Sequence, residues 1–188
     1  MNPEEKADLE QLVEDCKKGK RKAQHQIYKL LYSKMLLVCL RYFKDVDSAK
    51  DILQEGFIKL FLNIHKYDGG GSFAGWARRL IVNTAIDELR RNKNIHFTSV
   101  DETEYEWLED DGDDELIWNE VLMREKDRVL DAIQDLSPAY RTVFNMYVIE
   151  DYSHKEIADS LGISEGTSKS NLAKAKMKLK KVLGELQY

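Results

Sequence analysis

Residues 152–174 read YSHKEIADSLGISEGTSKSNLAK, and this stretch decides the fold of the C-terminal half of the chain. Ser153 and Ser164 are typical helix N-caps, and Gly162 can adopt the left-handed conformation that ends a helix. Two helices separated by such a glycine turn have the spacing of a helix-turn-helix. The sequence therefore predicts a short helix over HKEIADSL and a long one that begins at Glu165.

The second helix of this motif has an apolar side, predicted to include Val182, and a basic side. Residues 164–188 contain six lysines against two acids. A helix-turn-helix inserts this helix into the major groove, where its early outward residues reach base edges and its later lysines reach phosphates. A basic face that is only solvated is the alternative. The predicted duplex-binding residues are Thr167, Lys169, Ser170, Ala173, Lys174 and the later Lys178.

The rest of the chain also favours helices. The chain has only two prolines and ten glycines, and no strand-like alternation of any length appears. Apolar periodicity predicts helices over 48–64 and, after the Gly69–Ser72 loop, over 73–93. Further helices are predicted over 116–134 and 139–149, the latter with Ser137 as its cap. We therefore predict an all-α chain.

The net charge of -5 is concentrated in one segment. Residues 101–115 contain ten acids and no base, so the remaining chain has 29 basic against 24 acidic side chains. Periodicity also disappears there, which is typical of a solvated, flexible linker. The prediction is a helical domain over 1–94, an acidic linker over 95–114, and a four-helix domain with the helix-turn-helix over 115–188.

Several functional classes are disfavoured. The longest apolar run, Met35 to Leu40, is far shorter than a membrane span, and the acidic N-terminus does not resemble a signal peptide, so we expect a cytoplasmic protein without membrane insertion. Cys16 and Cys39 form no CxxC pair, which predicts two reduced thiols. No GxxxxGK[ST] or HExxH motif occurs, so we expect neither an enzyme nor a metal or other cofactor.

A group of hydrogen-bond acceptors lies on the polar side of the helix over 48–64. Asp51, Gln54 and Glu55 are spaced i, i+3 and i+4, which places them on one helical face. Such a face could bind an arginine-rich partner surface. An ordinary exposed polar face is the alternative.

A second polar stripe follows the glycine loop. It combines arginines, an amide and an acid at helical spacing, beside the aromatic residues Phe73 and Trp76. Aromatic rings and guanidinium groups can stack on unpaired bases, although a residue such as Trp76 by itself is more often part of the core than a stacking platform. The stripe consists of Arg79, Asn83, Asp87, Arg90, Arg91 and Asn94.

These three groups, in this order, resemble the extracytoplasmic-function (ECF) sigma factors of bacterial RNA polymerase. The segment DSAKDILQEGFIKLF is similar to region 2.2, and FAGWARRLIVNTAIDELRR is similar to regions 2.3 and 2.4. The segment LSPAYRTVFNMYVIEDYSHKEIADSLGISEGTSKSNLAKAKMKLKK is similar to region 4. The resemblance covers nearly the whole chain and implies a factor that binds core RNA polymerase and directs promoter recognition and DNA melting.

The resemblance also implies a role for each group. Asp51, Gln54 and Glu55 would bind core polymerase, and the long C-terminal helix would bind the minus-thirty-five element of promoter DNA. The loop from Tyr67 to Ser72 would receive a base flipped out of the minus-ten element, which costs a few kcal/mol. The minus-ten residues would be Tyr67, Ser72, Phe73, Trp76, Arg79, Asn83, Asp87, Arg90 and Arg91.

The family often has an anti-sigma factor as a further partner, which can be membrane-bound. Two other interpretations stay open at the level of the sequence. An autonomous helix-turn-helix regulator would dimerise on palindromic half-sites. A decoy for an anti-sigma factor would use the same surfaces without binding DNA, but it would leave the lysine-rich face unexplained.

Overall fold

The computed structural model describes residues 3–91, 97 and 126–184. All regular structure in these ranges is helical, with no β-strand among them, which confirms the predicted all-α fold. The chain divides into two compact units, Met1–Glu88 and Leu89–Tyr188, hereafter unit 1 and unit 2. The predictions for residues 92–96, 98–125 and 185–188 lie outside the described residues.

Unit 1 is built from helices joined by short turns. Its elements are α1 (Pro3–Lys17), α2 (Arg21–Tyr42), α3 (Val46–Asn63), a 3₁₀ turn (Ile64–Lys66) and α4 (Phe73–Arg91), whose last turn crosses the unit boundary. Helix α1 packs on α2, and α2 packs on α3. Gly19, at a φ of 75°, lies between α1 and α2.

Helix α3 begins two residues earlier than the periodicity predicts. Asp45 is its N-cap, and its carboxylate accepts hydrogen bonds from the backbone N–H of Ser48 at 2.8 Å and from the Ser48 hydroxyl at 2.6 Å. These hydrogen bonds lower the pKa of Asp45. The predicted first residue, Ser48, therefore lies inside the first turn and donates to the cap.

Helices α3 and α4 approach closely at one glycine. A Cβ atom on Gly56 would lie 2.8 Å from Cγ1 of Ile81 and 3.5 Å from its Cα atom. Ile81 is fully buried, so its branched side chain cannot move away without disturbing the core. Gly56 therefore sets the spacing between the helix that carries the acceptor group and the helix that carries the arginine stripe.

The two cysteines belong to the core of unit 1. Both thiols are unbridged, and Cys16 and Cys39 are 2% and 0% exposed. Burial raises the pKa of Cys16 to about 11 and that of Cys39 to about 12. The prediction of two reduced packing residues is confirmed.

Unit 2 consists of four described helices. They are α5 (Lys126–Asp135), α6 (Pro138–Phe144), which continues into a π-helical turn (Asn145–Ile149), α7 (His154–Leu161) and α8 (Glu165–Gly184). Helix α8 is central, because α5, α6 and α7 all pack against it. The predicted helix over 139–149 is thus correct in extent but changes its hydrogen-bonding pattern after Phe144.

The turn between α5 and α6 is held by a buried arginine and not by the predicted cap. Ser137 occupies the N-cap position of α6 but makes no capping hydrogen bond. Instead, Nη2 of Arg141 donates to the carbonyls of Gln134 at 2.6 Å and Leu136 at 2.9 Å. Burial lowers the pKa of Arg141. The buried guanidinium thus satisfies free carbonyls at the end of α5, which is a different role from that of an N-cap serine, which accepts from backbone N–H groups.

Candidate nucleic-acid and polymerase interfaces

Capping interactions fix the two ends of the helix-turn-helix. The hydroxyl of Ser153 accepts from the Glu156 N–H at 3.2 Å, and the Glu156 carboxylate accepts from the Ser153 N–H at 2.9 Å, forming a capping box. Gly162 ends α7 at a φ of 69°. The hydroxyl of Ser164 accepts from the Thr167 N–H at 3.0 Å. The predicted caps of both helices are confirmed.

A polar contact fixes the two helices relative to each other. Nδ1 of His154, at the start of α7, lies 2.9 Å from the hydroxyl of Ser168 on α8. Ser168 is fully buried, and the His154 ring stacks on Tyr147 with centroids 4.5 Å apart. The orientation of α8 is therefore set by specific contacts, which favours a rigid DNA-binding surface.

The outward side of α8 presents small and basic groups. Lys169 is exposed, and Ser170 and Ala173 are partly exposed beside it. Lys176 and Lys180 are among the predicted later lysines of the basic side, whereas Gly166 and Met177 were not predicted. We call the whole set the α8 surface. It consists of Gly166, Lys169, Ser170, Ala173, Lys176, Met177 and Lys180.

The other predicted α8 residues lie elsewhere. Lys174 is only 8% exposed, so the prediction that it points outward is wrong: at helical spacing it falls between the inner side and the flank. The hydroxyl of Thr167 lies 2.9 Å from that of Ser164, so it supports the cap. Lys178 is exposed and lies over the Tyr140 ring at 5.0 Å. Val182, predicted to be buried, is 55% exposed.

The acceptor group on α3 lies on a face that continues into apolar residues. Asp51 and Gln54 are exposed, and Glu55 is partly exposed. One and two turns further along the same face, Ile58 and Leu62 are 53% and 69% exposed. We call these five residues the α3 surface. Sequence reasoning missed its apolar half because Ile58 and Leu62 could be read as part of the buried stripe.

The arginine stripe occupies the outward side of α4, as predicted. Its five described members are all exposed, and the opposite side of the helix is buried. The sixth predicted member, Asn94, lies outside the described residues. Lys59 of α3 connects it to the α3 surface, because its Nζ lies 2.9 Å from Oε1 of Glu55 and 3.9 Å from Oδ2 of Asp87. We call the stripe the α4 surface. It consists of Arg79, Asn83, Asp87, Arg90 and Arg91.

Three aromatic rings form a cluster at the start of α4. The Tyr67 ring lies 5.2 Å from that of Phe73 and 5.6 Å from that of Trp76 between centroids. Tyr67 and Trp76 are partly exposed, but Phe73 is only 4% exposed. The prediction that Phe73 contacts DNA is therefore not supported, because its ring packs beneath Trp76, with centroids 5.8 Å apart.

The glycine loop is joined to this cluster. The Tyr67 hydroxyl donates to the carbonyl of Gly71 at 2.7 Å. Gly69 and Gly71 have φ values of 87° and 103°, which residues with a side chain rarely adopt. Ser72 is exposed at the end of the loop, where its hydroxyl accepts a 3.4 Å contact from the N–H of Gly75. The loop is thus a defined turn beside two partly exposed rings.

The described residues offer neither a membrane-spanning helix nor a group of metal ligands. In the parts of the chain that the structure describes, no helix is long and apolar enough to cross a membrane. Within the same residues, His, Cys, Asp and Glu side chains do not gather in groups that could hold a metal ion.

Comparisons with known proteins match both units. The family model described as Sigma-70 region 2 matches residues 27–95, and the model described as Sigma-70, region 4 matches residues 126–179. The ECF RNA polymerase sigma factor SigW of Bacillus subtilis is 28% identical over 187 residues, which is 95% of this chain and 98% of SigW. RNA polymerase sigma factor SigV of the same organism is 30% identical over 71% of this chain and 75% of its own length.

One solved structure is similar over nearly the whole chain. It is that of CnrH in complex with the cytosolic domain of CnrY, with a TM-score of 0.49, 18% identity, and coverage of 93% of this chain and 96% of that one.

The described residues combine an all-helical fold, a helix-turn-helix in unit 2 and an arginine and amide surface on α4, which is typical of two-region transcription factors. The matches define it further: the chain belongs to the ECF family of RNA polymerase sigma factors. It therefore binds core RNA polymerase and promoter DNA, and it directs promoter recognition for transcription initiation. The predicted family and function are confirmed.

Proposed function

We propose that three separate surfaces divide the work of this sigma factor. The α3 surface binds core polymerase, the α4 surface with Tyr67 and Trp76 binds the minus-ten element as it opens, and the α8 surface binds the minus-thirty-five element as duplex. In domain terms, residues 1–94 and 115–188 carry these functions and residues 95–114 link them. The observation that supports this division most directly is that each surface is exposed on a helix whose opposite side is buried.

The α3 surface has the composition of a docking site for a basic, partly apolar partner helix. Asp51 and Glu55 provide charge, while Ile58 and Leu62 provide apolar area that is otherwise unfavourably exposed to water. The acidic half would fix the orientation of the partner and the apolar half would contribute most of the affinity. This deepens the predicted role of Asp51, Gln54 and Glu55 by adding two apolar contacts.

The α4 surface is suited to a melted strand. Arg79, Arg90 and Arg91 can follow phosphates or stack on bases, and Asn83 can donate to and accept from a base edge. The partly exposed rings of Tyr67 and Trp76 add stacking surfaces next to the glycine loop. Phe73 supports these rings from below.

The α8 surface is suited to the major groove of a duplex. Lys169 can donate to guanine, and Ala173 can contact a thymine methyl group. Lys176 and Lys180 lie further along the helix, where they reach phosphates. Because Lys174 is buried, we assign the base contact to Lys169 in its place.

The proposed setting follows from these surfaces. The chain acts in the cytoplasm with core polymerase, performs no catalysis of its own, and is controlled by an anti-sigma factor that competes for the same surfaces. A factor of this kind has little affinity for duplex promoter by itself, since its net charge of -5 opposes binding to a polyanion.

Run-off transcription with purified core polymerase on a promoter pool tests the proposal. Asp51→Arg, which reverses a charge in the α3 surface, should abolish promoter-specific product by preventing core binding. Asp8→Arg, the same change at an exposed position on α1, serves as the matched control and should retain it. A normal transcript yield from Asp51→Arg, or tight and salt-resistant duplex binding by the isolated chain, would contradict the proposal.

A further inference from the structure

A run of basic residues begins at the end of α1, and none of them belongs to the α3, α4 or α8 surface. Residues 16–34 contain six lysines, one arginine and no acid. Five of these basic residues lie close together over residues 17–22, around the turn between α1 and α2. Four of the five are exposed, and we call them the junction surface. They are Lys18, Lys20, Arg21 and Lys22.

The acids in the last turn of α1 neutralise only part of this charge. Oε1 of Glu14 lies 2.8 Å from Nζ of Lys17. Oδ1 of Asp15 lies 3.0 Å from Nζ of Lys20. The other three members of the junction surface form no ion pair with any residue that the structure describes, and the first turn of α2 contains no acid. Their positive charges are therefore available to an anionic partner.

The junction surface lies next to the aromatic cluster at the start of α4. Helix α1 packs on the 3₁₀ turn that directly precedes Tyr67, and Nζ of Lys17 lies 5.9 Å from the centroid of the Tyr67 ring. Consecutive Cα atoms are about 3.8 Å apart, so the Cα atom of Arg21 lies within about 15 Å of that of Lys17. The rings and the junction surface are therefore neighbours within unit 1.

Aromatic rings beside a basic surface are the combination that binds single-stranded nucleic acid. Proteins that bind single strands stack the bases on rings and follow the phosphates with positive charges. Tyr67 and Trp76 are partly exposed and provide the rings. The junction surface provides the charges, and the guanidinium of Arg21 can donate to two phosphate oxygens at once. It has no apolar member, which disfavours a protein partner, because the centre of a protein interface is apolar.

We propose that the junction surface binds the phosphate backbone of the melted strand where this strand leaves the aromatic cluster. The inference rests on the proposed function, because it requires that Tyr67 and Trp76 hold bases of the minus-ten element. A span of about 15 Å corresponds to about four nucleotides at about 3.4 Å per nucleotide of one strand. The nucleotides on the junction surface therefore flank those that the rings hold, and they are bound by charge and not by sequence.

Two single-stranded probes, bound by the complex of the full chain with core polymerase, test the junction surface. The short probe carries only the minus-ten element, and the long probe adds about four nucleotides on each side, the number that the junction surface can span. The parent should bind the long probe more tightly. Lys18→Ala combined with Arg21→Ala should bind the short probe like the parent but lose most of the gain from the flanks. Its salt slope on the long probe should be smaller by about 1.4, because each phosphate contact on a single strand contributes about 0.7.

Lys29→Ala combined with Lys34→Ala is the matched control. It removes the same charge from exposed positions on α2, which lie about 12 and about 20 Å further along the helix axis than Arg21. It should keep both the gain from the flanks and the salt slope of the parent. Equal losses in the two double variants, or an unchanged gain in the junction variant, would overturn the inference. A parent complex that does not bind even the short probe would instead refute the proposed minus-ten role, and the inference with it.

Site-specific crosslinking in the same complex locates the contact. A photoreactive maleimide on Lys22→Cys should crosslink to the flanking nucleotides of the long probe. The same label on Lys34→Cys, about 18 Å further along α2, should give no crosslink to the probe. The native Cys16 and Cys39 are buried, so the label reaches only the introduced thiol. Crosslinks from Lys22→Cys to core polymerase alone would assign the junction surface to a protein partner and overturn the inference.

Discussion

The α4 and α8 surfaces are both proposed to bind nucleic acid, but they are built from different chemistry. The α4 surface uses arginines and an amide next to two partly exposed rings, and the α8 surface uses lysines around small residues with no aromatic ring among its seven members. Guanidinium planes and rings stack on unpaired bases, whereas ammonium groups and small side chains suit a groove whose bases are still paired. The proposed division between melted and duplex DNA therefore follows the residue types of the two surfaces.

The largest expected effect comes from a substitution that disturbs the packing of α3 against α4 and does not touch α8. Gly56→Leu would place a side chain against buried Ile81, where even a Cβ atom would lie 2.8 Å from Cγ1. We expect the free energy of unfolding of unit 1 to fall by about 1–3 kcal/mol, and that of unit 2 to stay unchanged. Thermal unfolding followed by calorimetry measures both. Gly75→Leu is the control, since a Cβ there meets only Ser72 at 3.8 Å.

The next largest effect is expected for a substitution that weakens binding to single-stranded DNA and leaves binding to duplex DNA unchanged. Trp76→Ala removes a partly exposed ring, and we expect about a 10-fold to 100-fold loss of binding to single-stranded minus-ten DNA by the polymerase complex. Binding to a duplex fragment that carries only the minus-thirty-five element should not change. Fluorescence anisotropy with the two probes measures this, and equal losses on both would remove the distinction between the surfaces.

A smaller effect is expected for base recognition by α8. Lys169→Ala should weaken promoter binding by about 10-fold in a manner that depends on the minus-thirty-five sequence, because a base contact is lost. Lys180→Ala is the matched control on the same surface and should weaken all sequences alike, with a smaller salt slope. Competition binding across a set of minus-thirty-five variants distinguishes the two, and a uniform loss from Lys169→Ala would count against base reading.

The smallest expected effect concerns Asp45, the N-cap of α3. Hydrogen bonds from Ser48 lower the pKa of Asp45 below its ordinary value of 3.8, so the folded state favours the carboxylate. This contribution to stability is fully present above the unfolded pKa and is lost as the pH falls through the lower folded value. Asp45→Asn should therefore make the melting temperature of unit 1 less sensitive to acid below about pH 4. Asp47→Asn, in the same turn, is the control, and an identical acid response in both variants would contradict the assignment.

Much of the fold follows from local signals that the sequence displays directly. Ser153 with Glu156, Gly162 and Ser164 are capping chemistry at fixed spacing, so the helix-turn-helix can be placed to the residue. The outward positions of α4 follow in the same way from the 3.6-residue period. Sequence also predicts the family, because the three groups occur in the order of the sigma regions.

The remaining features depend on contacts between distant residues. The burial of Lys174 is set by how α5, α6 and α7 pack around α8, which no local pattern encodes. Phe97 meets Asn171 across 74 positions, and Gly56 meets Ile81 on another helix. Each case is a tertiary contact that overrides a local preference.

The two buried cysteines decide how this sigma factor can respond to oxidants. With pKa values raised to about 11 and about 12, the thiols of Cys16 and Cys39 stay protonated near neutral pH. The thiolate, not the thiol, reacts with peroxide or a disulfide, and both sulfur atoms are also shielded from solvent. In the folded chain both thiols are therefore poor targets for peroxide and for disulfides.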